Sequence, residues 1–272
     1  MTSTLRFIAL ALVLLTTVSA FSDDTPLADP DKDPQIANLL GDAGHLLASK
    51  NPVPAVEMCD KVIDAFKARY GSGQQKIYCA RTRAECLAYL LAGSLDKTNE
   101  IVRSSNALPG GVGKTNETIL SSDGLTGSLG NKKTIVLSSN WAKAYFLKGY
   151  ALQDLRRLAE SKSNLELALE LSPFNSQYLS ERGSLFQLEK NWPKAKEQFA
   201  SAEDNAPLSP ENTRADELGR ARRGLAYVFV ELAKLDEAEK KYQQCLAANP
   251  NDMRAKRELK YVQGLRAKDK SQ

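Results

Sequence analysis

The sequence predicts an all-α chain built as a solenoid of stacked helix hairpins, and three observations carry the prediction. Between Asn140 and Asn251 a grammar of small, aromatic and proline residues recurs at 34-residue spacing: Gly149 with Gly183, Ala168 with Ala202, Pro173 with Pro207. Outside that stretch, apolar residues recur at three and four, as in Ile36, Leu39, Leu40, Ala43, Leu46 and Leu47, which is the stripe of an amphipathic helix. A weaker copy also precedes the strong ones, since Gly93-Ser-Leu-Asp aligns with Ala233-Lys-Leu-Asp at a constant offset of 140. A period of this length means units that cannot each bury an apolar face alone and therefore stack.

The 272 residues are 42% hydrophobic and 26% charged, a globular composition large enough for one or two domains. The net charge of +4 is spread, with basic segments only at Arg220, Arg222, Arg223 and from Arg254 to Lys270; these read as solvated helix faces rather than a nucleic-acid patch. Met1 to Arg6, the apolar run Phe7 to Leu15 and the small-residue end Val18-Ser19-Ala20 form a signal-peptide pattern, so residues 1–20 are expected to be removed and the mature chain to begin at Phe21. The run is too short for a comfortable transmembrane span, and nothing later offers one. An exported location follows as the expectation, periplasmic before secreted.

Residues 21–34 are rich in Asp and Pro and read as a flexible lead. The stripe from Ile36 to Leu47, the break at Asn51-Pro-Val-Pro54 and the stripe Ala55, Val56, Cys59, Val62, Ile63, Phe66 make a first hairpin, ending near Gly71. Cys79 to Gly93 and Asp96 to Leu108 predict a second. From 109 to 139 glycines punctuate short polar runs, and only Thr118-Ile-Leu120 and Thr134-Ile-Val-Leu137 are apolar; an ordered loop or small hairpin fits, although Leu137-Ser138 stands 34 before Leu171-Ser172, as a helix end would. Units follow at 142–175, 176–209 and 219–252, the last displaced by nine residues lying in Leu208 to Asp216. Residues 253–272 read as a capping helix with a basic tail. Gly149, Gly183 and Ala226 fall where backbones approach, Leu152, Phe186 and Phe229 fill the space between, and prolines 173, 207 and 250 stop each second helix.

On these residues the chain resembles the tetratricopeptide-repeat (TPR) family, and more narrowly its exported bacterial members. The resemblance covers Ala142 to Asp252, extends more weakly to Ile36–Gly110, and does not reach the insert or either tail. It departs from the family pattern where the early tryptophan is replaced by Tyr145, Leu179 and Arg222, and the expected alanine by Ser161 and Thr98. It implies a right-handed superhelical solenoid of about five hairpins, the first two degenerate, with a C-terminal cap and a Gly-rich insert.

No catalytic constellation stands out. Pro109-Gly-Gly-Val-Gly-Lys114-Thr115 echoes a phosphate-binding loop, but Leu108 stands where the first glycine is needed and the preceding segment reads as helix. His45 has no acid or thiol at ligand spacing, and four cysteines with one histidine make no zinc set, so neither cofactor nor metal is expected. A bridge from Cys59 to Cys79 or Cys86 is left open by their helices' proximity. Asn116-Glu-Thr118 matches a glycosylation acceptor, meaningful only in a eukaryotic host.

Surface remains. In the family the first helices of successive units line a groove, and the exposed positions there would be Lys143, Phe146, Tyr150 and Gln153, then Gln177, Ser180, Ser184 and Gln187, then Arg220, Arg223 and Tyr227. Aromatics, amides and two arginines suit a protein or peptide partner, the arginines taking a carboxylate. Phe146 and Tyr150 occupy two places of the lysine and asparagine set used by chaperone-tail-binding members. The expected class is a non-enzymatic interaction scaffold, in envelope assembly or secretion; the alternatives are a self-assembly module and, more remotely, a nucleotide binder using residues 109–115.

Overall fold

Helix hairpins dominate the fold, as the period requires. The computed structural model describes residues 29–73, 75–94, 125–127 and 134–269. The described hairpins are α1 (Pro34–Ala48) with α2 (Pro52–Tyr70), α4 (Asn140–Asp154) with α5 (Leu158–Leu171), α6 (Ser176–Leu188) with α7 (Trp192–Asn205), and α8 (Glu211–Glu231) with α9 (Leu235–Ala248), closed by α10 (Met253–Asp269). The all-α solenoid stands. Of the second degenerate hairpin, the first helix is present as α3 (Arg83–Ser94) and the second lies outside the described residues; α2 packs directly on α4, and the described parts of the chain between them form an excursion of β1 (Lys76–Ala80), α3, β2 (Leu125–Gly127) and β3 (Thr134–Ser138).

Each hairpin turns in the same way. Lys50, Arg156, Lys190 and Ala233 have φ near +60° (60, 60, 55 and 56°), one residue beyond the cap of each first helix. The next amide reaches back five residues in every case (Asn51 to Leu46, Arg157 to Leu152, Asn191 to Phe186, Lys234 to Phe229, all at 2.8 Å). These are Schellman ends, whose extra bonds satisfy the last carbonyls and offset the roughly 1–2 kcal/mol that a Cβ costs in the left-handed region. Lys50 thus marks α1–α2 as a full geometric copy, although it stands 106 residues before Arg156 and shares no side-chain signature with it.

The core runs through the stack. Phe66 of α2 lies flat on Trp141 of α4, centroids 5.5 Å apart, and Ile36, Leu40, Val62, Tyr145, Leu165 and Tyr178 continue that cluster into the third hairpin. Phe199 of α7 fills the seam between α6 and α8. A Cβ on Gly183 would come within 3.0 Å of its ring, and one on Gly224 within 2.2 Å, so Gly224 permits the tighter approach there, while the expected Ala226 packs with Ala238 and Tyr242.

Two sequence expectations are corrected in the excursion. Cys79 lies on a strand, because Tyr78 and Cys79 pair in parallel with Val136 and Leu137, and the helix expected from Cys79 begins only at Arg83. Thr134 to Ser138 is strand rather than a degraded helix, with Leu125–Gly127 antiparallel to it, as the hairpin reading has it. The helix expected from Asp96 to Leu108, the loop 109–115 and residues 1–28, with the leader and its cleavage site, lie outside the described residues.

The described part of the lead, from Asp29, is held by side-chain contacts. Tyr70 donates to the Asp29 carboxylate at 2.7 Å, and the Ser138 amide and hydroxyl donate to Asp31, so two acids of a solvated-looking tract tie α2 and β3 together before Asp33 caps α1 by accepting from the Gln35 amide at 2.8 Å. All four cysteines are free thiols; Cys59 packs among Ala43, Ala55 and Ala151, while Cys79 joins the main core.

The nine-residue slip has a structural counterpart. A 3-10 turn, Ala206–Leu208, leads into it, and it lengthens α8 to 21 residues against 15 in α4 and 13 in α6. The excursion docks there. Thr82 donates to the Leu208 carbonyl (2.7 Å), and Arg81 lies between Glu85 and Glu217, within 2.7 Å of each. Glu217 also accepts from Ser209 (2.7 Å) and Thr213 (2.9 Å). On the same side Tyr89 of α3 stacks on Tyr78 and on Phe174, which lies in the α5–α6 loop.

Candidate functional site on the first-helix face

The face predicted to bind is built by α4, α6 and α8, and polar bridges lace these helices to one another and to the start of α10. Gln153 donates to Glu181 Oε1 at 3.2 Å, linking α4 to α6. Arg220 forms an ion pair with the other oxygen of Glu181, linking α8 to α6, and Gln187 Nε2 donates to the Gly224 carbonyl at 3.2 Å. Arg223 pairs with Asp252, which caps α10 by accepting from the Ala255 amide at 3.0 Å. Burial pushes the Asp252 carboxyl up, but the Ala255 amide and the Arg223 charge outweigh it and hold the group below its ordinary value.

These contacts sort the predicted residues. Phe146 is only 7% exposed and stacks on Tyr178 with centroids 4.6 Å apart, so it belongs to the core rather than to a groove wall; such a stack is worth about 0.5–1.5 kcal/mol beyond its buried area. Ser180 is buried, and Ser184 donates back to the Ser180 carbonyl at 3.1 Å, the usual fate of a mid-helix serine. Gln177 is half-buried. Arg220 and Arg223, expected to receive a partner's carboxylate, already hold the chain's own, because stacking brings Glu181 and Asp252 alongside them. Gln153 and Gln187 are likewise engaged.

Lys143, Tyr150 and Tyr227 remain open. Lys143 is exposed at the start of α4, Tyr150 is 37% exposed in its last two turns, and Tyr227 of α8 is 42% exposed with its ring edge-on to Trp192 (centroids 6.3 Å, interplanar 60°). Burial and a hydrogen bond to Glu231 raise the Tyr227 phenol, with Glu258 and Tyr261 of α10 adding to the shift. Two residues of this face escape the sequence reading. Tyr261 is 57% exposed and stands 34 after Tyr227, a signal the period contained; Glu181, the acid at the centre of the lacing, has no local signature.

A separate cleft of about 370 Å³ opens between α5, α6 and α7, lined by Glu166, Glu170, Leu179, Arg182 and Gln198 among others. Arg182 spans it to Glu166 at 3.5 Å, and it shares no residue with the first-helix face. Among the described residues no group of three or more His, Cys, Asp and Glu side chains could hold a metal ion, and no helix is long and apolar enough to cross a membrane.

The fold and face define a helical-repeat protein, and comparison places its repeat. Residues 142–175, which span α4 and α5, match the family model described as tetratricopeptide repeat, and the hairpins around them stack on that unit. A comparison with curated protein sequences found no match. Solved structures similar to the chain include the first TPR of Spaghetti (RPAP3) bound to the HSP90 peptide SRMEEVD, 22% identical over 47% of this chain and 98% of that one, TM-score 0.42. The N-terminal domain of stress-induced protein-1 from C. elegans is 16% identical over 46% and 96%, TM-score 0.40. A thermophilic TPR protein from Thermus thermophilus is 17% identical over 84% and 98%, TM-score 0.39.

Proposed function

We propose that this chain is a non-enzymatic interaction scaffold that holds an extended peptide or short helix of a partner protein along the first-helix face. One observation carries the reading: Gln153, Gln187, Arg220 and Arg223 of that face are committed to holding α4, α6 and α8 to one another and to Asp252 at the start of α10, while Tyr150 and Tyr227 stand exposed on the same face, with Lys143 at its edge. A half-exposed tyrosine anchored at its base supplies contact area with few rotors to freeze, which is why aromatic side chains dominate binding surfaces. The fixed lacing keeps those rings in place before a partner arrives. With the leader pattern of Met1 to Ala20, the scaffold is assigned to an exported, periplasmic setting, in envelope assembly or secretion.

The test is selection of binding peptides from a random library on the full chain, followed by affinity measurement on Tyr150→Ala and Tyr227→Ala. Each variant is expected to weaken binding by about 5- to 30-fold, in line with loss of an aromatic anchor, with unchanged helical circular dichroism. Peptides that bind both variants as tightly as the parent would overturn the reading. Amino-terminal sequencing of the exported product, expected to begin at Phe21, checks the location.

A further inference from the structure

The arginines and tyrosine of α8 recur in α10. Arg220, Arg223 and Tyr227 are followed 34 residues later by Arg254, Arg257 and Tyr261, the same Arg-x-x-Arg-x-x-x-Tyr spacing. Spacings of three and four place each trio on one helical stripe, so α10 repeats the exposed stripe of α8.

The surroundings differ in one respect. In α8 each guanidinium holds a carboxylate from a neighbouring helix, Arg220 that of Glu181 and Arg223 that of Asp252. In α10 those acids are missing from the equivalent places. Glu181 stands nine residues before the left-handed turn residue Lys190; nine residues before Ala233, the equivalent place in α8 is Gly224, which offers Arg254 no carboxylate. Arg254 is exposed and makes no ion pair among the described residues. Arg257 is 76% exposed and bonds Glu258, its own neighbour, at 2.9 Å, an exposed contact of little strength. Tyr261 is the most exposed of the three tyrosines on the face, and Lys256 and Lys260 add further exposed positive charge to α10.

We propose that Arg254, Arg257 and Tyr261 form a docking site for an acidic segment of a partner protein, whose carboxylates take the places that Glu181 and Asp252 take beside Arg220 and Arg223, and whose apolar side chain covers the Tyr261 ring. The occupant follows from charge complementarity and from the chain's own pairs. A guanidinium fork matches a carboxylate at two points where an ammonium gives one, and both positions hold arginine. The inference rests on the first-helix face being a binding surface; it adds the chemistry of the partner and extends the face by one helix.

The experiment uses the full chain and a fluorescein-labelled peptide of alternating glutamate and leucine, with alternating lysine and leucine as control, read by fluorescence anisotropy. The acidic peptide is expected to bind, to weaken as sodium chloride is raised through the range in which exposed charges are screened, and to lose at least about tenfold in affinity in R254E/R257E; the lysine peptide is expected not to bind. Equal binding by parent and R254E/R257E overturns the site. If that double variant binds normally while Tyr150→Ala does not, the docking site fails and the groove reading stands; if no acidic peptide binds but library-selected peptides do, the outcome is the same. Light scattering adds one more way to fail: a concentration-dependent dimer abolished by R254E/R257E would give this face to a second copy of the chain.

Discussion

Arg81 and Glu217 are 136 residues apart in the chain, and their Nη1 and Oε1 atoms are 2.7 Å apart in the fold. The pair joins the two places where the chain leaves the 34-residue register. The excursion after α2 and the nine extra residues before α8 are partners, one supplying the guanidinium and the other the lengthened helix that receives it. Arg81 also holds Glu85, whose side chain is fully buried, through Nε at 3.0 Å and Nη2 at 2.7 Å. Burial works against the charged guanidinium, but the hydrogen bonds and charges of Glu85 and Glu217 raise its pKa above the ordinary value.

Removing Arg81 therefore strands a buried acid. Arg81→Met is expected to lower unfolding free energy by about 3–5 kcal/mol, the cost of breaking a buried pair from one side. Arg81→Lys should recover less than half of that, because an ammonium cannot span both carboxylates. Urea unfolding followed by circular dichroism checks both, and a loss below about 1 kcal/mol would mean that the cluster is solvated, as exposed pairs are.

Gly224 sets the approach of α8 to α7. A Cβ there would lie 2.2 Å from Phe199 Cε1, and Phe199 is fully enclosed between Gly183 and Gly224, so its ring cannot withdraw. Gly224→Ala is expected to destabilise by about 1–3 kcal/mol despite the better helix propensity of alanine. Gly264→Ala, where nothing lies within 4 Å, is the matched control and should be stabilising by up to about 1 kcal/mol. Thermal unfolding of the two variants distinguishes packing from propensity.

The thiols are expected to be inert in the folded chain. Burial pushes Cys59 and Cys79 up to about 12 and Cys245 up to about 11, so the reactive thiolate is scarce at neutral pH. Cys86, half-buried, is the accessible one, though burial raises its pKa as well. Titration with a disulfide reagent should show one slowly reacting thiol in native protein, absent in Cys86→Ser, and all four in denaturant. Fast reaction of more than one would show that the cores around Cys59 and Cys79 open.

Asp252 gives a pH dependence of known sign. Its folded-state carboxyl lies below the ordinary 3.8, so the stability it contributes is present above that value and is lost as pH falls through the folded value. Asp252→Asn keeps a capping side chain and removes the charge. The variant should melt below the parent near neutral pH, and the two curves should converge as pH is lowered past about 4. Parallel curves at all pH values would show that Arg223 contributes nothing to the pair.

Much of the fold is legible in the sequence because it is local. Spacing in one stretch of chain fixes where Gly149, Gly183, Phe186 and Phe199 fall on a helix, and proline fixes where a helix stops. The lead and the excursion are not legible, for the opposite reason: Asp29 and Asp31 look solvated until Tyr70 and Ser138 are beside them, and Cys79 has a helical stripe around it until Leu137, 58 residues away, offers it a parallel strand. The first hairpin hides differently. Its turn at Lys50 copies the other three in backbone geometry, and Lys, Arg, Lys and Ala at those positions carry no glycine signal.

By itself the sequence determined the period, the helix faces and the nine-residue slip, all properties of chain positions a few residues apart. Only the tertiary structure decided that Phe146 is core, that Arg220 and Arg223 are already paired, and that Arg81 meets Glu217. Those outcomes depend on which side chain a neighbouring helix presents, and a buried carboxylate finds its cation by stacking, across distances along the chain that no local pattern records.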